Sequence, residues 1–200
     1  MRKLSNTALT RSKRCLSVAS HLCADVAQPK WRRRWCHSGT YGAYSEYFLL
    51  DEALLLPVPD EIPSEAAALT EPLAVGLHAV NRSEIETEDT ALVVGCGPIG
   101  LAVIAALKQR GVSNILAVDL QEEKLQLASE FGANRLINPT KEDEIAVGEQ
   151  YAMNSRLVIY ECVGKHTLID DFLRRAPARA RIVISVSIRH PQSLTTLTRR

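Results

Sequence analysis

From Thr90 onward the apolar positions of this 200-residue chain alternate between two spacings. Short, almost wholly apolar runs, ALVVG (91–95), SNILAVD (113–119), residues 135–138, RLVIYE (156–161) and RIVISVS (181–187), read as strands buried on both faces. Between them, apolar residues recur at helical spacing over 98–110, 121–131, 141–153 and around 165–175. Parallel neighbours need a crossover of a dozen or so residues, and strands alternating with helices of that length predict βαβ units. The pattern therefore predicts an open, doubly wound α/β domain with a parallel sheet from about residue 82. Upstream, YSEYFLL (44–50) reads as a short strand and 53–58 as an extended stretch closed by Pro57 and Pro59. Ser64 is placed to cap a helix, and Glu65 complements its dipole. That helix runs to about Thr70 and restarts at Pro72, a residue suited to a first helical turn, continuing through Leu73, Leu77 and Val80.

The first strand-to-helix turn carries the strongest chemical signal. It reads Gly95-Cys96-Gly97-Pro98-Ile99-Gly100, and Asp119 stands at the end of the next strand, nineteen residues after Gly100. Strand, GxGxxG turn, helix and a following acid at about twenty residues form the context of a dinucleotide-binding turn. Gly95 permits the tight turn, Gly97 lets the backbone approach a pyrophosphate, and Gly100 lets helix and strand pack closely. The helix N-terminus offers free N–H groups and partial positive charge to phosphates. Asp119 can accept hydrogen bonds from the adenosine ribose and would repel a 2′-phosphate, which favours NAD over NADP. The blander alternative is that the glycines serve packing alone and Asp119 caps the following helix. Lys124, five residues further on, either reaches the ribose or is an ordinary surface lysine.

Composition narrows the class without naming a chemistry. The chain is 46% hydrophobic and 24% charged with a net charge of +1, enough for one globular core. No apolar run approaches the roughly 18–20 residues needed to span a bilayer. Five cysteines (15, 23, 36, 96 and 162) form no CxxC pair, so a disulfide scaffold is not readable and a reducing, cytoplasmic setting is expected. The near-neutral total hides three zones. Residues 1–40 carry nine Lys or Arg against Asp25 alone, residues 41–171 carry eight basic against twenty-two acidic residues, and residues 172–200 carry seven Arg and no acid. The basic ends raise nucleic-acid binding or an organelle transit segment as readings. No recognised nucleic-acid module or aromatic platform accompanies them, so neither a nucleic acid nor a membrane is expected as partner. Cys96 reads as a small buried filler.

GTYGAYSEYFLL, EIPSEAAALTEPLAVGLHAV and the GCGPIG turn together resemble the zinc-type medium-chain dehydrogenases, with closest likeness to the sorbitol/polyol branch, over roughly residues 38–186. The resemblance implies a Rossmann NAD-binding domain and hydride transfer from a secondary alcohol to NAD, with zinc polarising the alcohol oxygen. It implies that Gly97, Pro98, Ile99, Asp119 and Lys124 contact NAD. The segment Glu161-Cys162-Val163-Gly164 would lie along the nicotinamide side of the cleft, with Cys162, Val163 and Gly164 facing the cofactor. Glu71, in the branch-specific string from Glu71 to His78, would correspond to a glutamate beside the catalytic zinc. The substrate class would be a small alcohol or polyol, and relatives self-associate through the sheet edge.

The same resemblance exposes departures. The family's zinc ligands, a Cys and a His–acid pair, are not found; His21, His37, His78, His166 and His190 are the only histidines and none precedes an acid. His78 reads as a packed or capping side chain. Cys15 and Cys23 match the third and fourth thiolates of the family's structural zinc lobe, but the first two would fall at Leu9 and Ser12, so zinc is not expected to be retained. Ala178-Arg179-Ala180-Arg181 stands where relatives carry a Gly-Gly pair. The organisation expected is a basic, poorly ordered or degenerate stretch over 1–37, a catalytic-domain remnant and connecting helix over 38–81, the Rossmann domain over 82–188 and a basic tail over 189–200. An incomplete dehydrogenase is thus one expectation, and a non-catalytic NAD-binding module the other.

Overall fold

The computed structural model describes residues 15–17 and 55–186. The chain divides into two compact units, residues 1–71 and 72–200. In the first, β1 (Cys15–Ser17) pairs antiparallel with β2 (Leu55–Pro57), Cys15 lying opposite Pro57. A short helix α1 (Ser64–Ala67) follows. Ser64 is its first residue rather than its cap: Pro63 takes the capping position, extended at φ −60° and ψ 150°, and makes no side-chain cap bond. The next helix, α2 (Thr70–Ser83), begins two residues earlier than its proline suggests. The Thr70 hydroxyl donates to the Ala67 carbonyl at 2.8 Å and ties the two helices together. The strand expected over 44–50 lies outside the described residues.

The second unit bears out the doubly wound reading. Its elements are β3 (Thr90–Val94), α3 (Pro98–Arg110), β4 (Asn114–Val118), α4 (Glu122–Phe131), β5 (Arg135–Ile137), α5 (Glu144–Tyr151), β6 (Leu157–Glu161), α6 (His166–Arg175) and β7 (Arg181–Ile184). The sheet order is β5-β4-β3-β6-β7, and every pair is parallel. Successive strand residues divide between two cores because side chains alternate across a sheet. Ala91, Val93, Ile115, Ala117, Val158 and Tyr160 pack with Val103, Ile104 and Leu107 of α3 and Leu125 and Ala128 of α4. Leu92, Val94, Leu116, Val118, Leu157 and Ile159 pack on the other face with Ile145 of α5 and Phe172 of α6. The helices change faces between β5 and β6, so the crevice between β3 and β6 is the topological switch point, where open α/β sheets take their ligands. Among the described residues no helix is long and apolar enough to cross a membrane.

Two polar devices fix the opposite end of the sheet. The Tyr160 hydroxyl donates to Ser83 Oγ at 2.6 Å inside the core, and Ser83 in turn donates to the Val80 carbonyl. Asp89, 7% exposed, accepts from the Arg156 N–H and from Arg156 Nη2, and also from the Glu86 N–H, which joins the starts of β3 and β6. Burial pushes its carboxyl up, but the bonds from Glu86 and Arg156 and the guanidinium charge outweigh this and hold it below its ordinary value. Before β7, Arg179 sits at φ 72°, in the left-handed region that favours glycine. This is the segment where the family resemblance leads one to expect glycines.

Two stability measurements follow. Arg179→Gly relieves a conformation costing roughly 1–2 kcal/mol for a side-chain-bearing residue and should raise the urea midpoint; an unchanged or lower midpoint contradicts the strain. Asp89 has a folded pKa below its unfolded value of about 3.9. Its contribution is therefore fully present above that value and is lost as pH falls through the folded pKa. Asp89→Asn should be less stable than wild type at neutral pH and should lose stability less steeply on acidification below about pH 5. Parallel pH curves for the two proteins would contradict this.

Candidate functional site

The glycine turn lies at the C-terminal end of β3, beside the switch point. Gly95 leaves the strand at φ 95°, and its N–H donates to the Val118 carbonyl at 2.8 Å. The three glycines have separable reasons. A Cβ on Gly100 would stand 1.8 Å from the Gly95 carbonyl oxygen, so the turn closes only because no side chain is there. A Cβ on Gly95 would come within 2.7 Å of Val163 Cγ2. A Cβ on Gly97 would meet nothing within 4 Å. Gly97 is extended, with φ −76° and ψ −173°, so neither backbone conformation nor packing calls for glycine there. Open space in front of this backbone is what a ligand approaching the main chain requires.

Gly97 is the N-cap of α3 and Pro98 its first residue. No side chain makes a cap bond, and the helix presents its positive end beside that open space. Asp119 follows β4 directly. Its Oδ2 accepts from the Cys96 N–H at 2.9 Å and its Oδ1 from the Gln121 N–H at 3.0 Å, so the carboxylate ties the glycine turn to the start of α4. Gln121, not Asp119, takes the capping position of α4 and no side chain makes a cap bond there, while the half-buried Asp119 carboxylate stands beside the glycine turn. Lys124 lies half-buried in α4. The Cys96 thiol is pushed up to about 12 by burial and by the Asp119 charge, with Lys124 pulling weakly the other way. A thiol held protonated at neutral pH is no nucleophile, in keeping with the filler reading.

On the other side of the crevice, β6 ends in Glu161 and leads into Cys162, Val163 and Gly164. The Cys162 N–H donates to the Val94 carbonyl at 2.9 Å, which fastens this loop to the end of β3. Val163 is 43% exposed and rests on Gly95. Gly164 turns at φ 81°. Burial, with the Glu161 and Cys96 charges, raises the Cys162 thiol to about 12 against the pull of Ser185. The family resemblance sets Glu161 at the head of the segment along the nicotinamide side but gives it no role of its own. Its signal was an acid closing a strand whose other members, Leu157, Val158, Ile159 and Tyr160, are uncharged and largely hydrophobic.

The metal candidates are scattered. Glu71 stands in the first turn of α2, within the first unit, and His78 lies further along that helix, half-buried. Cys15 is in β1, while Cys23, His21, His37 and His190 lie outside the described residues. Among the described residues no three His, Cys, Asp or Glu side chains are grouped to hold a metal ion. The described side chains do not by themselves fit a zinc centre. A cavity of about 680 Å³ opens at the far end of the sheet, lined among others by Glu86, Asp89, Arg156 and Arg179. It is remote from the glycine turn.

Comparison with known proteins bears on the family and the fold. Residues 98–198 match the family model described as zinc-binding dehydrogenase. The chain is 48% identical over 108 residues to (R,R)-butanediol dehydrogenase of Bacillus subtilis, covering 54% of this chain and 31% of that protein. It is 35% identical over 138 residues to the sorbitol dehydrogenase of the same organism, covering 68% and 36%. Its fold is similar to the crystal structure of an alcohol dehydrogenase from Escherichia coli CFT073 complexed with NADH, at TM-score 0.59 and 26% identity, covering 70% and 42%. The chain thus spans about a third to two fifths of the length of these relatives.

The glycine assignments predict opposite stabilities. Gly100→Ala should lower unfolding stability by about 2–3 kcal/mol, the scale of an overpacked site that cannot relax. Gly97→Ala should stay within about 0.5 kcal/mol of wild type. Equal losses in urea denaturation would mean that the space before Gly97 is not open.

Proposed function

The chain belongs to the zinc-type medium-chain dehydrogenases, and on that premise we propose that its second unit binds NAD for oxidation of a secondary alcohol in a diol or sugar alcohol. The observation that carries this reading is the empty space in front of Gly97, in a turn otherwise closed by steric necessity at Gly100. A pyrophosphate set there faces the N-terminus of α3, where the dipole and free N–H groups favour anions. On this reading Asp119 offers carboxylate oxygens to the ribose hydroxyls on the β4 side, and Lys124 of α4 is the second ribose contact. Pro98 and Ile99 form the first turn above the phosphates. Cys162, Val163 and Gly164 wall the crevice on the β6 side, where the nicotinamide half would run. Held by these residues, NAD would supply a hydride acceptor for the carbinol carbon.

The chain's own part in that chemistry is binding and orientation. Carboxylate oxygens accept from ribose hydroxyls and repel a 2′-phosphate, so Asp119 selects NAD over NADP. Exposed Val163 gives the crevice an apolar wall, which sheds water from one face of a planar ring. The diol or polyol class draws support from the butanediol and sorbitol dehydrogenases to which this chain is similar. Zinc and the Glu71 position belong to the same family reading, but the family's Cys and His–acid ligands are not found in this sequence, so zinc is not part of the activity proposed for this chain. Cys15 and Cys23 are assigned, on the same resemblance, to the remnant of a structural zinc lobe.

Calorimetric titration tests the reading. Wild type should bind NADH in the micromolar range and more tightly than NADPH. Asp119→Ala should weaken NADH by about 1–3 kcal/mol, the scale of a lost hydrogen bond to a charged group, and should narrow the gap to NADPH. An unchanged dissociation constant would remove Asp119 from the ribose. Oxidation of butane-2,3-diol or sorbitol with NAD would establish the substrate class, and metal analysis on the same sample would report its zinc.

A further inference from the structure

Glu161 is the one fully buried carboxylate among the described residues, with 0% of its surface exposed. It continues the face of β6 that carries Leu157 and Ile159 into the apolar core under α5 and α6. Placing an ionisable group there costs several kcal/mol unless it is compensated, and an apolar residue would extend the core at no such cost. No cation among the described residues forms an ion pair with it. Its Oε1 accepts from the Val163 N–H at 2.9 Å and from the Gly164 N–H at 2.8 Å. Its Oε2 is buried without a hydrogen-bond partner among the described residues. Every hydrogen bond the side chain makes is thus aimed at two successive amides of one loop.

That loop is the β6 wall of the crevice. Its two amides would be orphaned in the left-handed turn at Gly164 without an internal acceptor. With them held, Val163 is pressed to within 2.7 Å of where a Gly95 side chain would begin, and the wall is set against the glycine turn. A buried polar group that opposes folding stability while fixing a local geometry is the pattern expected at a functional site. We propose that Glu161 is a positioning residue for the nicotinamide half of the dinucleotide: its carboxylate holds the Val163–Gly164 loop in the conformation that half of the ligand meets. It does not touch the nucleotide. This role rests on the NAD reading above. It extends that reading to a residue outside the glycine turn and beyond Asp119.

The two halves of the nucleotide separate this role from a general contribution to folding. The adenosine half lies toward Asp119 on the β4 side, whereas the Glu161 loop lies across the switch point. Binding of NADH and of 5′-AMP is measured calorimetrically for wild type, Glu161→Gln and Glu161→Ala. The amide oxygen of glutamine can still accept both N–H groups, so Glu161→Gln should bind both nucleotides within twofold of wild type. Glu161→Ala should bind NADH at least tenfold more weakly and 5′-AMP within twofold. Should the alanine protein not fold, Glu161→Asp, too short to reach both amides, is measured the same way with the same expectation. Hydrogen exchange gives a second readout: the Val163 and Gly164 amides should be protected in wild type and Glu161→Gln and exposed in the alanine or aspartate protein. Equal weakening of NADH and 5′-AMP, or NADH binding unchanged by loss of the carboxylate, would overturn the role while leaving NAD binding in place. Wild type binding neither nucleotide would instead bring down the NAD reading, and this role with it.

Discussion

Gly95 and Gly100 come so close across one turn that a single methyl group on the second would overlap the carbonyl oxygen of the first. The rest of the site depends on that contact. It sets the angle at which α3 leaves β3 and turns its N-terminus toward the switch point. It also brings the backbone at Gly97 to the surface with nothing in front of it. A side chain at Gly100 would push the helix away, and with it the dipole and the first-turn amides. The sheet positions this turn by parallel pairing on both sides, β4 bringing Asp119 to one flank and β6 bringing the Cys162–Gly164 loop to the other.

The site is thus two walls and a floor, each held by a different bond. Asp119 grips the Cys96 amide, the Cys162 amide grips the Val94 carbonyl, and Glu161 grips the loop from within the core. All three act on backbone groups, which leaves the surface of the crevice to a few side chains. That is suited to a ligand recognised by charge, shape and ribose hydroxyls. Burial pushes both nearby thiols up to about 12, so neither stands ready as a thiolate.

Most of the second unit was legible in the sequence because two-sided burial leaves strands such as TALVV and NILAV with no polar face, and helix 98–110 between them fits one crossover. The turn was legible because its glycines stand at fixed offsets from strand and acid. Less could be read where a local rule met a tertiary one. Ser64 is a good capping residue, yet Pro63 holds that place. The helix restart moved from Pro72 to Thr70 because a threonine hydroxyl reaches back to Ala67, a bond no periodicity shows. Resemblance alone sets Glu161 beside the cleft; its burial and its bonds to the loop amides emerge only from the fold. Arg179 could be placed in a segment where glycines were expected, but its positive φ emerges only from the path of the chain into β7. The strand expected over 44–50, Cys23 and most of the histidines fall outside the described residues and add nothing to this comparison.

The central claim is that backbone amides of the glycine turn receive the phosphates of a nicotinamide dinucleotide. Amide chemical shifts of the isotopically labelled protein, followed by nuclear magnetic resonance as NADH is added, test it most directly. The account predicts that the largest, saturable shifts fall on Cys96, Gly97, Ile99 and Gly100, with further shifts at Asp119 and Val163. Shifts confined to the far end of the sheet around Arg156 and Arg179, or none at millimolar NADH, would contradict it.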